Sequence, residues 1–293
     1  MTRPGRGPRR GALAGLTVVV LSHVHDPATT PLFPGDPEFT LTTAATVEAD
    51  GYYLQVACQG EHTGTHWGAP CHFDPGGAHA DELDPADLFL PAVRIDVRAA
   101  AARDPDYQIQ VADLLDFERR HGRIPPGAAV IAWTGWARVW GTPAYPNLDS
   151  AGRIHQPGFS LAAVEWLLDT GRLGRRGALG SDTFGPDPGT DDSYAVSRAL
   201  YGEHRISLEN LTNLEALPPI GAHVLVGGPI HRAGSGSPAT VFGLIPAPRR
   251  PRHRARAAVQ AAGQAGGRSD GPSPRPRWLR SRAGRRTDRR PGR

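Results

Sequence analysis

Short apolar runs alternate with amphipathic stretches from Leu16 to about Pro246, the pattern of interleaved strands and helices. Residues 16–21 (LTVVVL) are rich in β-branched side chains and read as a strand. Residues 93–97 and 128–133 read as buried strands, the second running out into a loop at Thr134 and Gly135. Residues 159–168 instead space their apolar positions at helical intervals. Ser160 is placed there to accept the first free backbone N–H groups, and Gly171 to stop the helix. Residues 206–208 and 222–226 predict two late strands, the latter leading into Gly227, Gly228 and Pro229. The interleaving of the two element types predicts an α/β fold.

The pattern stops at both ends. Residues 1–11 predict a disordered basic leader, residues 12–247 a single domain, and residues 248–293 an Arg/Pro-rich disordered tail too poor in apolar surface to offset its ordering entropy. The tail carries 15 Arg against Asp270 and Asp288, a net +13, whereas residues 1–247 carry 18 Arg against 27 acidic residues, a net −9. The formal charge of +4 therefore describes the tail, and no basic binding surface on the domain follows from it. Nucleic-acid binding, resting on the tail alone, is the least supported functional class. The basic start followed by ALAGLTVVVL has the outline of an export signal, but the chain continues into SHVHDP without a small-residue cleavage site. A strand is the reading, and a cytoplasmic protein the expectation. No run of 18 apolar residues exists to span a membrane. Cys58 and Cys71 give neither a disulfide framework nor zinc-knuckle spacing.

Candidate chemistry concentrates in EHTGTHWGAPCHF, residues 61–73. Gly64 and Pro70 argue against a helix there, so His62 and His66 are not a helical ligand pair. In an extended segment residues 62, 64, 66, 68, 70 and 72 share one parity, which brings three imidazoles to one side with small residues between them. Three histidines in one short Gly-rich stretch point to a metal site, for which imidazole suits Zn, Mn, Fe or Ni.

HTGTHWGAPCH resembles the H-x-G-T-H-x-D-x-P-x-H signature of the cyclase family of metal-dependent hydrolases, which includes bacterial kynurenine formamidase and isatin hydrolase. LSHVHDPATTPLFPGDPEF, AWTGW, LGSDTFGPD and SLENLTNLEALP resemble further family segments in the same order, so the resemblance covers about residues 16–246. It implies a swivelling β/β/α fold, a small cyclic or aromatic substrate with an amide, formamide or lactone bond, metal-activated water, and a homo-oligomer. Carried over by position, His62, His66 and Glu209 match metal ligands and His72 matches the acid/base histidine.

Two positions depart from the pattern. Gly68 stands where the motif has aspartate, and Ser197 where a downstream histidine belongs. Together these losses remove one ion's share of a two-metal site, leaving a His₂Glu set for one divalent ion, Zn or Mn. Thr65, Ser197, His204 and Asp182 are candidate supporting groups, Asp182 as a replacement for the missing carboxylate. Trp67 and His23 are candidates for the substrate pocket, with Trp133, Trp136 and Trp140 as further candidate walls. The competing reading is a family member that lost its metals and serves as a small-molecule binding or scaffolding protein.

Overall fold

The computed structural model describes residues 10–13 and 15–247. Ten strands form one sheet: β1 (Arg10–Leu13), β2 (Leu16–Val20), β3 (His66–Gly68), β4 (Phe89–Asp96), β5 (Ala129–Trp133), β6 (Arg176–Ser181), β7 (His204–Glu209), β8 (Ala222–Gly227), β9 (Gly236–Pro238) and β10 (Thr240–Pro246). Their spatial order is β1-β2-β10-β8-β4-β5-β6-β7-β3-β9. The four central strands β4 to β7 are parallel. Every other pairing within this sheet is antiparallel. Parallel neighbours need long crossovers, and these carry helices α1 (Val111–His121), α2 (Leu161–Asp169) and α3 (Ala195–Leu200).

Strand alternation divides the core in two. Along β5, Val130 and Ala132 join a cluster with Leu114 and Phe117 of α1, Val164 and Leu167 of α2, and Leu200 of α3. Ala129 and Ile131 join the other cluster, which unites Val19 of β2 and Val241 of β10 with Trp67 of β3 and Leu208 of β7. Those strands lie on opposite flanks of the spatial order, so the sheet curls to bring them together. Helices cover one face, and the curled flanks of the sheet pack against each other over the other, an α/β arrangement of the kind that the resemblance implied.

The strands read from periodicity are present as β2, β4, β5, β7 and β8. In α2 the Ser160 hydroxyl accepts the Ala163 N–H at 3.2 Å, the expected cap. Pairing begins earlier than the charge pattern implied: Arg10 and Gly11, assigned to the leader, already face Val19 and Val18. The remainder of the expected leader, and the expected tail, lie outside the described residues. Outside the main sheet, Thr40–Ala45 and Leu54–Cys58 form a two-stranded ribbon that is exposed along most of its length, with Leu41, Leu54 and Val56 in solvent. Cys58 and Cys71 are free thiols. Among the described residues no helix is long and apolar enough to cross a membrane.

Candidate active site

β3 runs antiparallel to β7 in a register that sets His66 opposite Glu209 and Gly68 opposite Ser207. Facing residues of such a pair have Cβ atoms only about 5 Å apart, so the two side chains meet. The His66 Nδ1 donates to the Gly64 carbonyl at 2.9 Å, and the same oxygen accepts from Asn210 Nδ2 at 2.8 Å. That pattern assigns the Nδ1–H tautomer and leaves the Nε2 lone pair facing Glu209. Nε2 lies 3.2 Å from Oε2 but is not aligned for a hydrogen bond, and it is a buried nitrogen without a hydrogen-bond partner.

A neutral imidazole nitrogen and a carboxylate oxygen are both acceptors, so their juxtaposition calls for a positive charge between them. The titration behaviour follows. Burial, the largest single influence, lowers the affinity of His66 for a proton, but the proximity of Glu209, the Gly64 carbonyl and the charge of Asp36 together outweigh it, and the pKa of His66 is raised. Burial alone would raise Glu209, yet His66, together with the Ser207 hydroxyl, holds it below the usual carboxylate value.

His62 and His72 reach the same place through turns. Residues 61–65 form irregular turns, and Pro70–His72 a single 3₁₀ turn, so the shared parity applies only within β3. The His62 ring stacks on His72 with centroids 3.8 Å apart and meets His66 edge-on at 5.0 Å. Ser235 gives its one hydroxyl hydrogen to Glu61 at 2.9 Å, so it accepts from His62 Nε2, also at 2.9 Å. Burial, then the neighbouring His66 and His72, push the pKa of His62 down to about 3. His72 is lowered chiefly by burial, with Glu209 opposing and His66 adding to the effect. Both rings are neutral at pH 7 and able to accept a proton or a cation.

Gly64 is required in the turn. Its φ of +63° is left-handed, and a Cβ there would lie 2.5 Å from His25 Nε2. Gly64→Ala is expected to destabilise the protein by about 1–3 kcal/mol, measurable by urea unfolding.

The histidines and Glu209 line a cavity of about 450 Å³. Phe33, Ile154 and Phe184 supply apolar wall, and Asp36 and Asp187 add carboxylates. Ser197 also lines it, but its hydroxyl is given to the Asp187 carboxylate, whose Oδ1 takes the backbone N–H groups of Val196 and Ser197. Among the described residues no three His, Cys, Asp or Glu side chains form a ready-made metal cage.

Several expected participants lie elsewhere. Asp182 does not replace the missing carboxylate: it is buried against Thr134, accepting its N–H and its hydroxyl at 2.9 and 2.7 Å, and borders a different hollow. His204 lies at the opposite end of β7 from Glu209, paired with Asp87 at 3.1 Å. Trp67 alternates with His66 and so points into the core, at 1% exposure. Thr65 uses its hydroxyl structurally, donating to the Asn210 carbonyl at 2.7 Å and accepting the His23 N–H at 2.9 Å. His23 stacks on Trp140 at 3.9 Å and does not line the cavity; burial, then His25, push its pKa down to about 3. Trp136 and Trp140 pack around Tyr145, Ile154 and Phe184 behind the wall, while Trp133 lies under the guanidinium groups of Arg94 and Arg98.

Other contributors escaped the sequence reading. Ser235 comes from the Gly/Ser-rich turn before β9 and Asn210 from the residue after Glu209, and neither carries a local signal. Ser207 did carry one: it precedes Glu209 by two on a strand and so shares its face.

Fold and cavity together define an α/β enzyme with imidazole and carboxylate groups near the carboxyl ends of parallel strands, where open α/β sheets place ligands. The Cyclase family model matches residues 19–188, more than half of the chain, and the chain belongs to that family. It is 34% identical over 198 residues to isatin hydrolase of Roseibium aggregatum, covering 64% of this chain and 73% of that protein. It is 26% identical over 210 residues to kynurenine formamidase of Sphingopyxis alaskensis, covering 71% and 88%. Among solved structures, an isatin hydrolase bound to the product analogue thioisatinate superposes with a TM-score of 0.73 at 27% identity, over 79% of this chain and 93% of the other. Isatin hydrolase A from Ralstonia solanacearum gives 0.71 at 32%, over 78% and 92%.

Proposed function

We propose that the protein hydrolyses an amide, formamide or lactone bond in a small ring-containing substrate, with one divalent ion, Zn or Mn, held by His62, His66 and Glu209. The observation that carries this reading is the pair of facing acceptors at 3.2 Å, the buried Nε2 of His66 and the Oε2 of Glu209, at the wall of a cavity that is apolar at Phe33, Ile154 and Phe184. Adjacent ligands of a tetrahedral ion, each about 2.0–2.1 Å from it, stand about 3.3 Å apart, so these two atoms suit one ion. His62, neutral and beside them, is the third group. Likeness to isatin hydrolase and kynurenine formamidase supports a C–N bond as the target.

When bound, the ion supplies Lewis acidity toward a carbonyl oxygen and toward water. His72 takes a proton from the attacking water and returns it to the departing nitrogen or oxygen. Its stacking on His62 fixes the ring plane. Phe33, Phe184 and Ile154 hold the substrate ring and exclude bulk water. Turnover of isatin or formanilide by the purified protein, lost on chelation and restored by Zn²⁺ or Mn²⁺, is the expected result. Binding of these compounds without turnover under any metal supplement would sink the hydrolase reading and support the binding-protein alternative.

The exposed ribbon supports a homo-oligomer. Tyr52 and Tyr53, both 58% exposed, and Val56, 54% exposed, are large apolar groups on a segment that pairs with no other sheet. A Tyr53→Glu/Val56→Glu variant is expected to sediment as a smaller species than the wild type with an unchanged circular dichroism spectrum. Identical sedimentation would remove the ribbon as the interface.

A further inference from the structure

The space beside Gly68 is filled. A Cβ at that position would lie 2.3 Å from the Tyr201 hydroxyl and 2.8 Å from Ser207 Oγ. These hydroxyls are joined in a chain: Tyr201 donates to Ser207 at 2.7 Å, and Ser207 donates to Glu209 Oε1 at 2.6 Å. Ser207 Oγ also accepts the Gly68 N–H at 3.2 Å. Its one hydrogen is thus committed to Glu209, and its acceptor capacity to Tyr201 and Gly68. Tyr201 and Ser207 are fully buried, so water does not compete for these bonds.

We infer that Tyr201 and Ser207 are positioning residues that occupy the place a carboxylate at position 68 would need and orient Glu209 so that Oε1 is committed to Ser207 while Oε2 alone faces His66. The glycine and the two hydroxyls are then one unit. Gly68 admits the hydroxyls, the hydroxyls exclude a second acidic ligand, and the carboxylate that remains presents one oxygen. This rests on the metal-dependent reading for its effect on the ion, and on packing alone for the exclusion at position 68.

The test uses the full-length chain stripped of metal and titrated with Zn²⁺. Ser207→Ala is expected to weaken Zn²⁺ binding 10- to 100-fold, the usual cost of losing a group that orients a ligand. Tyr201→Phe should cost less, and Tyr201→Phe/Ser207→Ala no more than Ser207→Ala, because Tyr201 acts through Ser207. Melting curves give the second reading. Gly68→Asp should lower the melting temperature by roughly 5 °C or more in the wild-type background, and by less than half as much in the Tyr201→Phe/Ser207→Ala background. There the new carboxylate should also restore part of the lost Zn²⁺ affinity, a rescue that general damage to packing does not produce. Unchanged Zn²⁺ affinity in Ser207→Ala overturns the positioning role, and equal destabilisation by Gly68→Asp in both backgrounds overturns the exclusion. A wild type that binds no Zn²⁺ overturns the metal reading and the positioning role with it, while the melting comparison at position 68 still decides the exclusion.

Discussion

His72→Ala is expected to lower kcat by about 10²–10⁴, the worth of a placed general acid/base, while Zn²⁺ affinity changes little. The separation follows from geometry, since His72 stacks on His62 but is not the group facing Glu209. A pH profile identifies the residue further. His72 works as a base only when unprotonated, and burial places its pKa below 6.5. Activity should therefore hold as pH falls to 6.5 and drop below it, and this acid limb should vanish in His72→Ala. His62, at about 3, is already neutral across that range and cannot produce the limb. A limb arising from protons competing with the ion at His66 would shift with Zn²⁺ concentration, whereas one from His72 would not. An acid limb that survives in His72→Ala and is insensitive to Zn²⁺ would remove His72 from the acid/base role.

What the sequence conveyed and what it concealed divide along the range of the interactions. β2, β5, α2 and the Ser160 cap follow from local periodicity and propensity, and they appear where expected. His62, His66, His72 and Glu209 came together because motif spacing stands in for the turns and register that no periodicity predicts. The same reasoning placed Trp67 at the pocket, although strand alternation puts it on the face opposite His66. His204 was plausible by its place between Ser197 and Glu209, and Asp182 by following an expected strand, but each has a partner made by a distant segment, Asp87 and Thr134. Tyr201 is the clearest case of concealed information. Nothing near it in sequence indicates that its hydroxyl lies beside Gly68, 133 positions earlier, because that contact depends on β3 adding to the edge of β7.

His66→Ala is expected to reduce stability by roughly 3–5 kcal/mol as well as to abolish activity, because it leaves the largely enclosed carboxylate of Glu209 with the Ser207 hydroxyl but without its charge partner. The pH dependence of stability should separate a proton from a metal ion as the positive charge between the two groups. In metal-free wild type the raised pKa of His66 contributes stability that is fully present below its unfolded value of 6.5 and is lost as pH rises through the folded pKa. The lowered pKa of Glu209 contributes stability that is present above its unfolded value of 4.5 and is lost as pH falls through the folded pKa. Unfolding in urea after chelation should thus show the pair at its strongest between those two values and weaker in mildly alkaline buffer. Zn²⁺ needs no proton on His66, so adding it should flatten the alkaline decline in the wild type. In His66→Ala the expected sign for Glu209 reverses: burial is then opposed only by the Ser207 hydrogen bond and the weaker influence of His62, so the carboxyl should be easier to bury protonated and stability should rise as the solution is acidified toward pH 4.5. Replacing Glu209 by Gln in the same chain should recover most of the lost stability and remove that slope. An alkaline decline unaffected by Zn²⁺ would leave the proton, and no ion, as the partner of this pair.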